Sequence, residues 1–170
     1  MDKFEQVKRE HLQSIYFEAG TGLFDCQTFE YSIGYLLYLF SRLGVSGLSS
    51  DRTSAILDDD EKKTAGQLVG LLKKHVEVSA ELEEGLSDAL KARNKLVHRY
   101  LIDNVERFTD ATERDLIVKE IRNLRGQVRS VQKSLEPFIS ALVMIVDGLD
   151  LEEFSVEAKE QFMHSVISVP

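Results

Sequence analysis

The chain has 170 residues, 43% of them hydrophobic and 29% charged, which suits one domain with a real core and excludes a disordered or low-complexity protein. Two prolines and no tryptophan point to a mainly helical fold, and the single cysteine, Cys26, excludes a disulfide framework or a zinc cluster. The formal net charge of −8 argues against broad, nonspecific nucleic-acid binding, and the longest apolar runs, Ile33 to Phe40 and Phe138 to Val146, fall far short of the roughly 20 residues of a membrane span.

Residues 1 to 12 are mostly polar and do not read as a cleavable leader, so a soluble, cytoplasmic protein is expected. Five or six helices can be read along the chain. The first runs from about Lys3 to Glu18 and ends at Ala19-Gly20-Thr21-Gly22. The second, from about Thr28 to Leu43, is apolar nearly all round and reads as a central buried helix closed by Gly44. Ser46 to Asp60 is rich in Ser, Gly and Asp and reads as a polar loop. Thr64-Ala65-Gly66-Gln67 has the form of a capping box and opens a short helix ending near Lys74. Ser79 caps the next helix, whose first turns carry Glu81, Glu83 and Glu84, where the helix dipole favours acids. A break holds Asp103-Asn104 and Phe108-Thr109. Thr112-Glu113-Arg114-Asp115 has the form of a second capping box and starts a long helix to about Asp147, which Pro137 is expected to kink or split. A short last helix, capped by Asp150 or Ser155, ends near Val166. Strands are not needed, and residues 1–170 read as one all-α domain.

The most informative stretch is Arg93-Asn94-Lys95-Leu96-Val97-His98-Arg99-Tyr100. On a helical wheel Leu82, Leu86, Ala89, Leu90, Leu96, Val97 and Tyr100 fall within roughly 60° of Arg93, so the arginine sits where a leucine would be expected. A buried guanidinium without a partner costs several kcal/mol or more, which calls for a carboxylate, a ligand or a second subunit. Asn94 and His98, four apart, share one helix face, and Arg93 and Tyr100, seven apart, share another. Lys91, Arg93, Lys95 and Arg99 bunch around His98, while acids crowd elsewhere, an arrangement that suits a small anionic target. These residue types suit RNA strand cleavage by the 2′-hydroxyl. His98 serves as general base or acid, Arg93 stabilises the phosphorane, and Asn94 positions His98 or the phosphate. Tyr100 is a candidate to hold a base or a phosphate oxygen, with Lys95 and Arg99 as further binding residues. The chemistry requires no metal or cofactor, and His11, His75 and His164 have no spacing that makes a convincing metal site.

Arg93-Asn94-x-x-x-His98-x-Tyr100 resembles the arginine-histidine signature of the HEPN superfamily, in the form similar to toxins of the HepT type. The stretch Thr64 to Leu72, followed by a helix into the motif, is similar to HEPN-like bacterial proteins. The resemblance covers roughly residues 64 to 101. It implies a bundle of four or five helices, here with a short C-terminal helix, a homodimer, metal-independent ribonuclease activity on RNA, and a toxin or defence setting. For HepT-type pairs it implies a small nucleotidyltransferase as antitoxin. The competing reading is a noncatalytic HEPN-like interaction or regulatory module. There His98 caps helix carbonyls, Arg93 pairs with a carboxylate from another helix, and the same face serves dimerisation.

Overall fold

The computed structural model describes residues 3–58, 61, 63–110 and 112–147, with side chains from Leu12 onward, Thr109 apart. The described residues form an all-α bundle. Its elements are α1 (Lys3–Arg42), α2 (Ser50–Leu57), α3 (Ala65–His75), α4 (Ala80–His98), α5 (Tyr100–Asp103), a 3₁₀ turn (Val105–Thr109) and α6 (Arg114–Val146). The last helix expected near Val166 lies outside the described residues. No helix among them is long and apolar enough to cross a membrane.

Two expected helices are one. Forty residues run unbroken through Ala19-Gly20-Thr21-Gly22, a length of about 60 Å at 1.5 Å per residue. The reason is the buried face. Ile15, Glu18, Gly22, Cys26, Phe29, Ile33, Leu36 and Phe40 are all buried, and their steps of three and four residues never lapse. Packing along this face outweighs the ~1 kcal/mol that each helical glycine costs relative to alanine. Gly22 marks the tightest approach. A Cβ there would lie 2.6 Å from Leu96 Cδ2 on α4 and 3.2 Å from Arg125 Cγ on α6. Gly22, read as part of a stop, is thus at a crossing point of three helices, while Gly20 is exposed with open space around it.

The true end of α1 is at Gly44, as its sequence suggests. Gly44 has φ +79°, its N–H bonds to Ser41 O, and the Val45 N–H reaches back to Phe40 O. This is a Schellman closure, and glycine supplies its left-handed residue without a Cβ penalty. The second half of α1 is not buried all round. Phe29, Ile33, Leu36, Leu37 and Phe40 face the core, but Tyr31 on the opposite side is 58% exposed.

The expected polar loop after Gly44 contains α2. Its eight residues are too few to display a period. Tertiary contact holds it: the buried Thr53 hydroxyl lies 2.8 Å from Ser41 Oγ on α1, and Ile56 packs on the core. The Thr64–Gln67 capping box forms in both directions, and Ser79 Oγ accepts from the Leu82 N–H at the start of α4. The second expected box does not form. Thr112 instead donates its N–H and its hydroxyl to Asp110, and α6 starts after Glu113 with no side-chain cap. Pro137 lies inside α6 without ending it. The buried series Ile117, Ile121, Leu124, Val128, Val131, Leu135, Phe138 and Leu142 alternates steps of four and three on both sides of the proline. Helix α6 packs along α1 and α4, and these three helices build the core that carries the Arg93 stretch.

Replacing Gly22 by alanine is expected to lower stability by about 1–3 kcal/mol, since the new Cβ has no room between Leu96 and Arg125. Gly126→Ala, at an exposed α6 position with no atom within 4 Å of the new Cβ, is expected to raise stability by about 0.5–1 kcal/mol. Thermal unfolding followed by circular dichroism reads both, and the opposite signs are the test.

Candidate functional site

Arg93 lies on the flank of α4, where Ala89, Ala92 and Leu96 are buried beside it. Its side chain is 14% exposed. The partner that this placement demands is a carboxylate of the same chain. Nε and Nη2 of Arg93 both lie 2.7 Å from Oε1 of Glu30 on α1. The remaining end of the guanidinium faces outward along α4: Nη1 is 3.1 Å from Asn94 Oδ1 and 2.9 Å from His98 Nε2. Arg93, Asn94 and His98 therefore meet at one place, with the latter two exposed to solvent. The long guanidinium closes the gap of about 140° that separates positions 93 and 98 on the wheel. Asn94 makes its bond to Arg93 and not to His98, so the two side chains that share a face are joined through the guanidinium. A guanidinium only donates, so Asn94 presents its carbonyl oxygen and His98 a ring lone pair.

The other three expected site residues are elsewhere. Helix α4 gives way to α5 at Arg99, which is exposed at the junction. Beyond this break Tyr100 turns inward and is 1% exposed. Its hydroxyl donates to Glu120 Oε2 at 2.6 Å and lies 3.4 Å from Ile117 O. Burial, and then the hydrogen bond to Glu120, push the phenol well above its ordinary range, so it stays a neutral donor. Glu120 is in turn held below the usual carboxylate range by Arg107 and then by Tyr100. Tyr100 thus locks α5 to α6 and is not brought to the cluster. Lys95 Nζ sits 5.9 Å from the centre of the Tyr100 ring, on the side of this network.

Two of the four cations bunched around His98 are paired with carboxylates once the chain folds. Lys91 bridges to Asp88 at 2.9 Å, and Arg93 to Glu30. Glu30 is the site residue that sequence reasoning missed. The signal was present: between Asp25 and Arg42 it is the only charged residue, set in an otherwise apolar or uncharged run.

Below the Arg93–Glu30 pair lies Cys26, 1% exposed. Desolvation pushes its thiol up to about 11, only partly offset by Arg93, while Glu30 and Asp25 raise it further. It is a packed core residue and not a nucleophile. His75 is occupied at the other end of the bundle, with Nδ1 3.0 Å from Ser46 O. Among the described residues, no group of three or more His, Cys, Asp or Glu side chains is placed to hold a metal ion.

Beside the cluster, α1, α4 and α5 leave an apolar groove of about 290 Å³ lined by Tyr16, Ala19, Gly20, Leu23, Leu96, Val97 and Leu101. A larger hollow, about 570 Å³, lies at the opposite end of α4 between Ser79–Gly85 and Ser130–Phe138. It is remote from His98 and brings no comparable acid–base group together, so the smaller groove is the one relevant to the cluster. No family model, curated protein or solved structure matches the chain.

A raised thiol is an acid that the fold keeps protonated. As pH rises above about 9, where the unfolded thiol ionises, Cys26 is expected to draw stability away from the fold until about 11, where the folded thiol follows. At neutral or mildly alkaline pH it should react with an aromatic disulfide reagent only after denaturant is added. Rapid reaction in the folded protein would contradict the burial described here.

Proposed function

We propose that this chain is a metal-independent endoribonuclease of the HEPN type, a toxin or defence component that works as a homodimer. A nucleotidyltransferase-type antitoxin is the partner class that goes with this reading. The observation that carries it is the joining of Arg93, Asn94 and His98 at one solvent-facing place, with Nη1 2.9 Å from Nε2. An imidazole and a guanidinium in contact are the two groups that cleavage by the 2′-hydroxyl needs. One transfers the proton, and the other meets the charge that builds on the phosphorane. The 2′-oxygen attacks phosphorus, its proton passes to a His98 imidazole, and the bond to the 5′-oxygen breaks. In a dimer the second copy's His98, protonated, gives the 5′-oxygen its proton.

The exposed face of α1 supports the dimer. Tyr16, Phe17, Leu23, Phe24 and Tyr31 are 46–67% exposed, and Tyr16 and Leu23 continue into the groove beside Val97, the neighbour of His98. A contiguous apolar stripe of this kind marks an interaction surface. Arg93 itself does not call for a second subunit, because Glu30 satisfies it within the chain. The second reading, a noncatalytic module, draws on that same pair: a guanidinium already bonded to Glu30, Asn94 and His98 also serves as a lock between α1 and α4.

Cleavage separates the two. His98→Ala is expected to lower the rate by about 10²–10⁴-fold and Arg93→Ala by about 10²–10³-fold, with folding checked by circular dichroism. Cleavage should survive EDTA, leave a 2′,3′-cyclic phosphate or its 3′-phosphate product, and fail on a 2′-deoxy sugar at the cut. A His98→Ala protein that cuts RNA as fast as the parent would refute the assignment, and a pure parent protein that cuts none would favour the module.

Light scattering at tens of micromolar protein is expected to give the mass of a dimer. Leu23→Glu, at a 46% exposed position on the stripe, should shift it to a monomer without loss of helicity. A monomeric parent would remove the dimer from this reading.

A further inference from the structure

The planar guanidinium of Arg93 is held at one edge and works at the other. Nε and Nη2 face Glu30 Oε1, both at 2.7 Å, and the fork is rigid, so fixing that edge fixes the direction of Nη1. Both members are shielded, Arg93 14% and Glu30 24% exposed, which makes the pair more persistent than an open surface bridge. Nη1 then meets His98 Nε2 at 2.9 Å. A guanidinium has five N–H donors and no acceptor, so the nitrogen facing it must carry a lone pair. The ring proton of neutral His98 is therefore on Nδ1, the reverse of the preference of a free histidine side chain.

We propose that Glu30 is a positioning residue of this site. Through Arg93 it holds His98 in the Nδ1–H tautomer, with Nε2 as the atom that accepts a proton. Its part in cleavage rests on the nuclease reading, while the tautomer does not. The coupling gives the guanidinium a trigger. Nε2 has a single in-plane lone pair, so the 2′-hydroxyl can donate to it only as Nη1 gives it up, and once Nε2 is protonated the two groups are like charges. The substrate hydroxyl thus displaces Nη1 from Nε2 as it begins to transfer its proton, and the displaced donor is free to meet the negative charge on the phosphorane oxygens. Glu30 keeps hold of the Nε and Nη2 edge, so the freed donor remains in the site.

The test is the ring nitrogen spectrum of the full chain, labelled with ¹⁵N, at a pH where His98 is neutral. His98→Gln assigns its signals among the four histidines. The parent protein is expected to show His98 protonated on Nδ1. Glu30→Ala should move it toward Nε2–H. Glu30→Gln keeps the volume and one acceptor, and is expected to fall between the two with the fold intact. On RNA, Glu30→Ala should lower kcat at least about tenfold with a smaller change in KM, and Glu30→Gln should recover part of the loss. A parent protein with His98 protonated on Nε2 overturns the proposal without any variant. An unchanged tautomer in a folded Glu30→Gln protein overturns the role of Glu30. The expected tautomers in a protein that cuts no RNA uphold the positioning and sink the nuclease reading alone.

Discussion

Buried charge on α1 sets the register of the bundle. Its packed side carries Glu18, Asp25 and Glu30, and each has an arginine on a neighbouring helix. Glu18, 4% exposed, takes Arg122 at 2.7 Å and also Arg125. Asp25 takes Arg125 at 2.8 Å, and Glu30 takes Arg93. Burial works against the Arg125 cation, but the hydrogen bond and charge of Asp25 outweigh it and hold the group protonated. Removing Arg125, 12% exposed, leaves Asp25 without its arginine and Glu18 with only the exposed Arg122, at a cost of about 3–5 kcal/mol. Sliding α1 by one turn along α6 and α4 would break all of these pairs together. Apolar packing alone would tolerate that slide better, because the buried series on α1 and α6 repeats every three or four residues.

The same arrangement decides what the acidic chain can offer an anion. The cations that cluster in sequence around His98 are mostly committed to carboxylates or to the Tyr100 ring after folding. The cluster therefore offers one oriented guanidinium rather than a positive field. This agrees with a net charge of −8, which disfavours loose attraction of polyanions.

The outer side of α1 has the opposite character. Tyr31, Tyr35 and Tyr38 stack in sequence with ring centres 6.1 and 6.2 Å apart, and Arg42 closes the row by donating to the Tyr38 hydroxyl at 2.9 Å. One helix thus presents buried acids to the core and exposed aromatics to its surroundings. Both sides come near the cluster: Glu30 pairs with Arg93, and Tyr16 and Leu23 share a groove with Val97, the neighbour of His98.

The sequence by itself determined the helical class, the closure at Gly44, the Thr64 and Ser79 caps and the shared helix face of Asn94 and His98. Each of these depends on residues within a few positions of one another, where helix geometry and local hydrogen bonds decide the outcome. Continuity of α1 through Gly20 and Gly22, the helix at Ser50–Leu57, the inward turn of Tyr100 and the pairing of Glu30 with Arg93 were decided only by tertiary structure. A glycine reads as a stop until a neighbouring helix needs the space of its missing Cβ, and eight residues do not reveal a helix that Ser41 and the core stabilise. Arg93 announced on its own that it needed a carboxylate, a ligand or a second subunit. Which acid it found, 63 residues away, was set by the crossing of α1 over α4, because the long-range packing of whole helices brings those two positions together.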